Sequence, residues 1–350
     1  QTDDSSACAW DLNVGQGIIS MFSPVRDAQN HVLPGQLGEF VIKAGATSIF
    51  TVSSYHGNTN LGYFCIQSNG LEMFHCGIVP VPIQSPPLRD FSCSLPAWIN
   101  STLYPTPRNL SLSESHGTSK RDMLALAVQI KANPDQCLKR IKISVGVQNA
   151  TLRYLQALTE HLWLTQLMDM FDVKEDIVPG YTPYTNLTEL HLHLWDCSID
   201  YRPLRYPFRA VATLGNLMIS SNLAAESVGC TLRFVAEDVT LSLAPQIIKE
   251  DQEDCNKITA LPGNELICVG ELGLFDISLK LSEKVTSLSP KFDLRAAIKD
   301  VHIRTCSDSG KALLEFISYL TSDGDLYDEN NMADDQSETS SVMQTNDDEL

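Results

Sequence analysis

Residues 137–147 read CLKRIKISVGV, with Ile141, Ile143, Val145 and Val147 at alternate positions and Arg140, Lys142 and Ser144 between them. A repeat of two residues is the mark of a strand with one apolar face and one solvated face. The preceding stretch MLALAVQIKA does the same, placing Leu124, Leu126, Val128 and Ile130 on one side. Near the end KFDLRAAIKD repeats it, with Phe292, Leu294, Ala296 and Ile298 against Lys291, Asp293, Arg295 and Lys299. Such strands must find cover for the oily side. Either two sheets close on each other, or the face stays open and receives something apolar. The pattern leaves both open.

The remaining strand candidates lie in the first 76 residues and at 187–200, 208–222, 228–243, 264–281 and 290–304. Several exceed ten residues. At about 3.3 Å per residue, twelve residues reach roughly 40 Å, longer than an ordinary sandwich strand. Two segments change period. Leu155, Leu158, Leu162 and Phe171 predict a helix over 150–172, and Leu313, Ile317 and Leu320 predict another over 309–321. The expected organisation is therefore mainly β, with long antiparallel strands in two units. One spans 1–172 and carries a Pro-rich insertion at 77–120; the other spans 183–322; each is closed by one helix. The insertion holds seven of the 17 prolines and is expected to supply no central strand. Residues 323–350 hold ten acidic residues and no Lys or Arg, the composition of a disordered tail.

Composition narrows the function. Of 350 residues 43% are hydrophobic, enough for a sizeable core, and the formal charge of −18 argues against a nucleic-acid partner. No apolar run reaches 18 residues, and the chain opens at Gln1, so it is read as a piece of a longer protein. Ten cysteines are scattered without a C-x-x-C pair and are read as buried thiols. A secreted, disulfide-bonded reading stays open because of four glycosylation tripeptides, at Asn100, Asn109, Asn149 and Asn186. There is no G-x-S-x-G, no phosphate-cradling glycine loop and no H-E-x-x-H, so neither an enzyme nor a cofactor is expected. His191 and His193 share one strand face, but Asp196 falls on the opposite phase, and the pair is read as solvent-facing opposite Leu190, Leu192 and Leu194. The candidate lining of an open apolar trough is Leu124, Leu126, Val128, Ile130, Ile141, Ile143, Val145, Val147, Phe292, Leu294 and Ile298. Trp163 and Trp195 are read as packing anchors, and YRPLRYP (201–207), with Arg202 and Arg205, as a turn between strands whose two arginines leave an anionic contact open as the alternative. The competing reading is a closed β-rich interaction scaffold whose acidic tail recruits partners.

Several phrases in order, WDCSIDYRPL (195–204), CTLRFVAEDVTLSL (230–243) and VHIRTCSDS (301–309), resemble the central region of the autophagy-related protein 2 family. HLWLTQLMDMFDV (161–173) followed by GYTP (180–183) resembles the family's preceding helix. The resemblance covers roughly 150–325. It implies a section of an elongated open groove, built from repeating β-groove units, that conducts glycerophospholipids without enzymatic chemistry. It also implies a setting at contacts between the endoplasmic reticulum and the growing autophagosomal membrane, and at lipid droplets. The implied partners are phospholipids, membranes touched by other parts of the parent chain, and WD-repeat phosphoinositide-binding proteins. Two acyl chains of about 16 carbons, at roughly 0.8 kcal/mol per methylene, cost on the order of 25 kcal/mol to expose to water. An apolar lane removes that penalty with no nucleophile or metal.

Overall fold

The computed structural model describes residues 7–27, 29–80, 89–92, 94–107, 122–155, 162–171, 184–203, 206–224, 230–245, 266–281 and 291–322. Runs of β-branched, aromatic and leucine residues at alternate positions form fifteen strands. They are β1 (Cys8–Val14), β2 (Gly17–Arg26), β3 (Val32–Ala44), β4 (Thr47–Ser53), β5 (Leu61–Ser68), β6 (Leu71–Cys76) and β7 (Asn100–Pro105). Then follow β8 (Leu124–Asn133), β9 (Leu138–Gln148), β10 (Ala150–Leu155), β11 (Thr185–Arg202), β12 (Phe208–Ala224), β13 (Cys230–Pro245), β14 (Ile267–Leu281) and β15 (Phe292–Ile303). Two helices, α1 (Trp163–Phe171) and α2 (Ser307–Thr321), complete the described elements longer than three residues.

All fifteen strands belong to one sheet. Its early strands are joined end to end. β1 pairs with β4 while β2 pairs with β3; β4 pairs with β5 while β3 pairs with β6; β5 pairs with β8 while β6 pairs with β7. β9 and β10 likewise run in one line, because β11 pairs with both at a single offset, Leu192 opposite Val145 and Ile199 opposite Leu152. The sheet is therefore ten lines wide: β1/β2, β3/β4, β5/β6, β7/β8 and β9/β10, then β11 to β15. Neighbours are antiparallel except at β9/β10 against β11, the one parallel seam. The sheet passes without a break across the expected boundary between 172 and 183. β1/β2 and β15 are free edges, so the sheet is open and the closed-scaffold expectation does not hold.

The breaks between paired segments line up across the sheet. Gly45 N donates to Gly70 O at 2.8 Å, Asn69 N to Ala46 O at 3.0 Å, and Asn149 N to Trp195 O at 3.0 Å. The same transverse line continues through Asp196, Gly215, Asp238, Gly273 and Asp300, which register places opposite one another. Asn149, Asp196, Asp238 and Asp300 are left-handed, with φ of 54°, 48°, 53° and 56°. Asn and Asp tolerate that region better than other side-chain-bearing residues. A Cβ on Gly215 would lie 2.9 Å from Asp238 Cβ, and one on Gly273 would lie 3.3 Å from Asp300 Cβ, so each aspartate backs onto a bare backbone. One left-handed residue shifts the alternation by a step. Hence Val147 and Ala150, and Leu194 and Cys197, join one cluster with Met123, Leu71 and Leu103.

Two differences from expectation lie beside this fault line. Residues 150–155 are strand, not the start of a helix, and the described helix is Trp163–Phe171. The expected helical stripe began at Leu155, which is the last residue of β10. β7 lies inside the Pro-rich stretch and pairs on both sides, with β6 and β10. Pro105 is its last residue, where a missing N–H is tolerated. Half of the Pro-rich stretch, residues 172–183 and the acidic tail lie outside the described residues.

Both helices cover the sheet beyond the fault line. α2 begins two residues before the expected 309, with Cys306 as N-cap and Ser309 answering it. It inserts Ala312 and Phe316 against Tyr206, Ala210, Leu243 and Val269, and Tyr206 OH donates to Ala312 O at 2.6 Å. α1 packs on β2 through buried Gln166, whose Oε1 accepts from His75 Nε2 at 2.9 Å while its Nε2 donates to Gly77 O at 2.8 Å. Arg26 pairs with Asp169 of α1 at 2.8 Å. On the reverse face there, Glu39 is fully buried and held by both guanidinium arms of Arg89 at 2.9 and 2.7 Å.

Candidate functional site

On the other side of the fault line, neither helix reaches the sheet's apolar face. Register defines one row of ten residues across it: Leu12, Ile49, Ile66, Leu126, Val145, Leu192, Ile219, Phe234, Ile277 and Ala296. A second row carries Phe64, Val128, Ile143, Leu190, Leu232, Leu279 and Leu294. A third carries Leu124, Val147, Leu194, Leu217, Phe275 and Ile298. The places between are filled by Trp10, Val14, Thr47, Thr51, Ser68, Ser221 and Ala236. Three rows of ten thus contain no charged side chain. At a strand spacing of about 4.8 Å, nine gaps make the face roughly 43 Å across.

The eleven residues expected to line a trough all fall on this face. Leu124 stands opposite Val147, Leu126 opposite Val145, Val128 opposite Ile143 and Ile130 opposite Ile141. Phe292, Leu294 and Ile298 take the same face of β15, opposite Leu281, Leu279 and Phe275. Of the residues named on β8 and β9, all but Ile130 (36% exposed) are half-buried. Those on the free edge are more open, Phe292 at 56% and Ile298 at 55%. By contrast, positions covered beyond the fault line are closed, such as Val269 at 0%.

The opposite face is polar and laced with charge. Lys142 Nζ meets Glu189 Oε2 at 2.8 Å across the parallel seam, and Arg233 Nη2 meets Asp276 Oδ2 at 2.7 Å. Its hydrogen bond and charge from Lys142 hold the Glu189 carboxyl below the ordinary glutamate range. His193 sits on this polar side, stacked on Trp195 at 3.7 Å between centroids, with Nε2 2.7 Å from Asn216 Oδ1. Among the described residues no group of three or more His, Cys, Asp or Glu could hold a metal ion. The eight described cysteines form no disulfide with one another, and no described helix is long and apolar enough to cross a membrane.

Sequence reasoning missed most of the face, including Leu12, Ile49, Ile66, Leu190, Leu192, Ile219, Phe234 and Ile277. The signal was present in ELHLHLWD, where the leucines alternate as cleanly as in β9. A face of this kind, uncharged and, among the described residues, covered by neither helix on one side and polar on the other, can do little covalent chemistry. It can shelter hydrocarbon.

No family model matches the chain. It is 31% identical over 322 residues to autophagy-related protein 2 homolog B of Homo sapiens, covering 90% of this chain and 15% of that protein. To autophagy-related protein 2 homolog A of Xenopus tropicalis it is 29% identical over 337 residues, 93% of this chain and 16% of the relative. To autophagy-related protein 2 of Caenorhabditis elegans the identity is 21% over 294 residues, 78% of this chain and 12% of the relative. The chain spans about 15% of the length of the first two relatives.

Proposed function

We propose, for a chain that is homologous to one segment of autophagy-related protein 2, that its uncovered face is a lane for the acyl chains of glycerophospholipids. The observation that carries this reading is the three uncharged rows crossing ten strands with neither helix over them. Acyl chains laid across the rows keep their methylenes out of water, while headgroups remain at the solvent boundary. Passage demands continuity, because one charged step restores the barrier. No covalent step is involved, so the activity is non-enzymatic transfer. The longer parent protein would carry out this transfer between the endoplasmic reticulum and the autophagosomal membrane, its other segments touching the bilayers and the WD-repeat phosphoinositide-binding partners.

Two measurements test the reading. Native mass spectrometry of the purified chain should find co-purifying phospholipid; a lipid-free chain of the same fold counts against it. In the parent protein, replacing Ile143 and Val145 together with Asp should slow lipid transfer between vesicles at least ten-fold. Circular dichroism separates the outcomes. A folded variant with normal transfer shows that the lane lies elsewhere, and an unfolded one shows that these residues are core.

A further inference from the structure

Beyond the fault line, on the face opposite the apolar rows, three guanidiniums converge on one carboxylate. Asp200 of β11 is 1% exposed and stands opposite Arg153 of β10 and Val211 of β12. Arg202 and Arg209 project from the same face one step further along. Asp200 Oδ2 lies 3.2 Å from Arg202 Nη2 and 3.8 Å from Arg153 Nε, and Oδ1 lies 3.4 Å from Arg209 Nε. Tyr104 OH is 3.4 Å from Asp200, and its ring lies 5.3 Å beneath the Arg153 guanidinium. Arg153 is 2% exposed and Arg209 8%. No other described carboxylate pairs with any of the three arginines, so the cluster carries an excess of two positive charges.

The hydrogen bonding is incomplete as well. Seven buried side-chain polar atoms among the described residues have no hydrogen-bond partner, and four of them are here: Arg153 Nε, Ser198 Oγ, Asp200 Oδ1 and Arg209 Nε. Ser198 sits two residues before Asp200 on the same face. Burial holds the Arg153 and Arg209 guanidiniums below the ordinary arginine value, with the like charge of Arg202 adding to it. Buried cations are tolerated when an anion and a full set of acceptors meet them, and planar guanidinium donors match the oxygens of phosphate.

We infer that Arg153, Arg202 and Arg209, with Ser198 and Tyr104, form a binding site for a phosphate group, carried by free phosphate or by a lipid headgroup. The site is separate from the apolar rows and takes charge where they take hydrocarbon. One phosphate dianion balances the excess of two charges and accepts from the unpartnered donors. Arg205, next in this stretch, lies outside the described residues.

The test uses the whole chain. Inorganic phosphate is titrated calorimetrically at constant ionic strength set with chloride, and vesicles of phosphatidylcholine with and without phosphatidic acid are used in co-flotation. The variant is Arg202→Gln, chosen because Arg202 is the most exposed of the three, with Arg295→Gln on the far edge as control. Saturable phosphate binding that weakens at least ten-fold in Arg202→Gln, but not in Arg295→Gln, assigns the site to a soluble anion. Co-flotation that depends on phosphatidic acid and is lost in Arg202→Gln assigns it to a lipid headgroup. Absence of both, or binding that Arg202→Gln leaves unchanged, overturns the inference. Phosphate binding is read on the isolated chain and lipid transfer on the parent protein, so failure of the lane and failure of this site are distinguishable.

Discussion

At the scale of single residues, the fault line is where small changes should matter most. Gly215 and Asp238 face each other across β12 and β13, and a Cβ on Gly215 would also lie 3.3 Å from Glu237 O and 3.4 Å from Asp238 O. Backbone atoms cannot swing aside as a side-chain tip can. Gly215→Ala should therefore destabilise the chain by about 2 kcal/mol, read as a lower urea midpoint. Asp238→Gly should cost less than about 0.5 kcal/mol, because relief of a left-handed residue offsets the added freedom of the unfolded chain. Equal losses in the two variants would show that the close approach is not the constraint. The residue scale is also where the sequence was most legible. Leu124 to Ile130 and Ile141 to Val147 alternate without interruption, so their common face could be read directly. The leucines of β11 alternate too, but the intervening His191 and His193 drew the chemistry to the polar side.

Among the elements, strands were easier to read than their limits. β10 was read as helix because its last residue, Leu155, was counted with Leu158 and Leu162 in one stripe, and β7 was hidden by prolines that turn out to sit at its boundary or outside it. Pairing partners were not legible: nothing local in β9 or β11 specifies a parallel seam. That seam carries the Lys142–Glu189 pair, which is partly exposed. Since Lys142 lowers the Glu189 carboxyl below its ordinary 4.5, the pair's stabilisation is complete above that pH and is lost as pH falls through the depressed value. Lys142→Met should cost ~0.5 kcal/mol at neutral pH and progressively less as pH falls below 4.5, measured by denaturant titration over that range. For α2, Phe316→Ala removes a buried ring from the cluster with Tyr206 and Leu243. A loss of about 3 kcal/mol is expected. Hydrogen exchange should rise at the ends of β12, β13 and β14 beyond the fault line, while β8 and β9 stay protected. Uniform loss of protection would mean that the two sides fold as one unit.

In the whole molecule, an open sheet has free edges. Among the described strands β15 pairs only with β14, and Phe292, Leu294, Ile298, Val301 and Ile303 are each more than half exposed along it. A long apolar edge is prone to pair with another copy. The isolated chain should self-associate as concentration rises, and Ile298→Lys should reduce this in sedimentation velocity. A monomeric wild-type chain at high concentration would contradict it. Openness itself was not legible from alternation, which a closed core satisfies equally. It depends on which strands the helices cover, and that is decided by contacts such as Phe316 to Val269, far apart in the chain.

The left-handed residues carry a last consequence. In β9/β10, β11, β13 and β15 an odd-numbered oily set on one side becomes an even-numbered set on the other, or the reverse, so each strand keeps its count only by spending one residue in between. Removing Asp238 itself would leave β13 in plain alternation but one residue short of Gly215 and Gly273 beside it. Removing Val235 instead would turn one part of β13 inside out, sending Leu232 and Phe234 toward the charged face or Val239, Leu241 and Leu243 away from the covered one. Away from the left-handed positions, single length changes are thus forbidden, and only paired gains or losses leave both surfaces right side out.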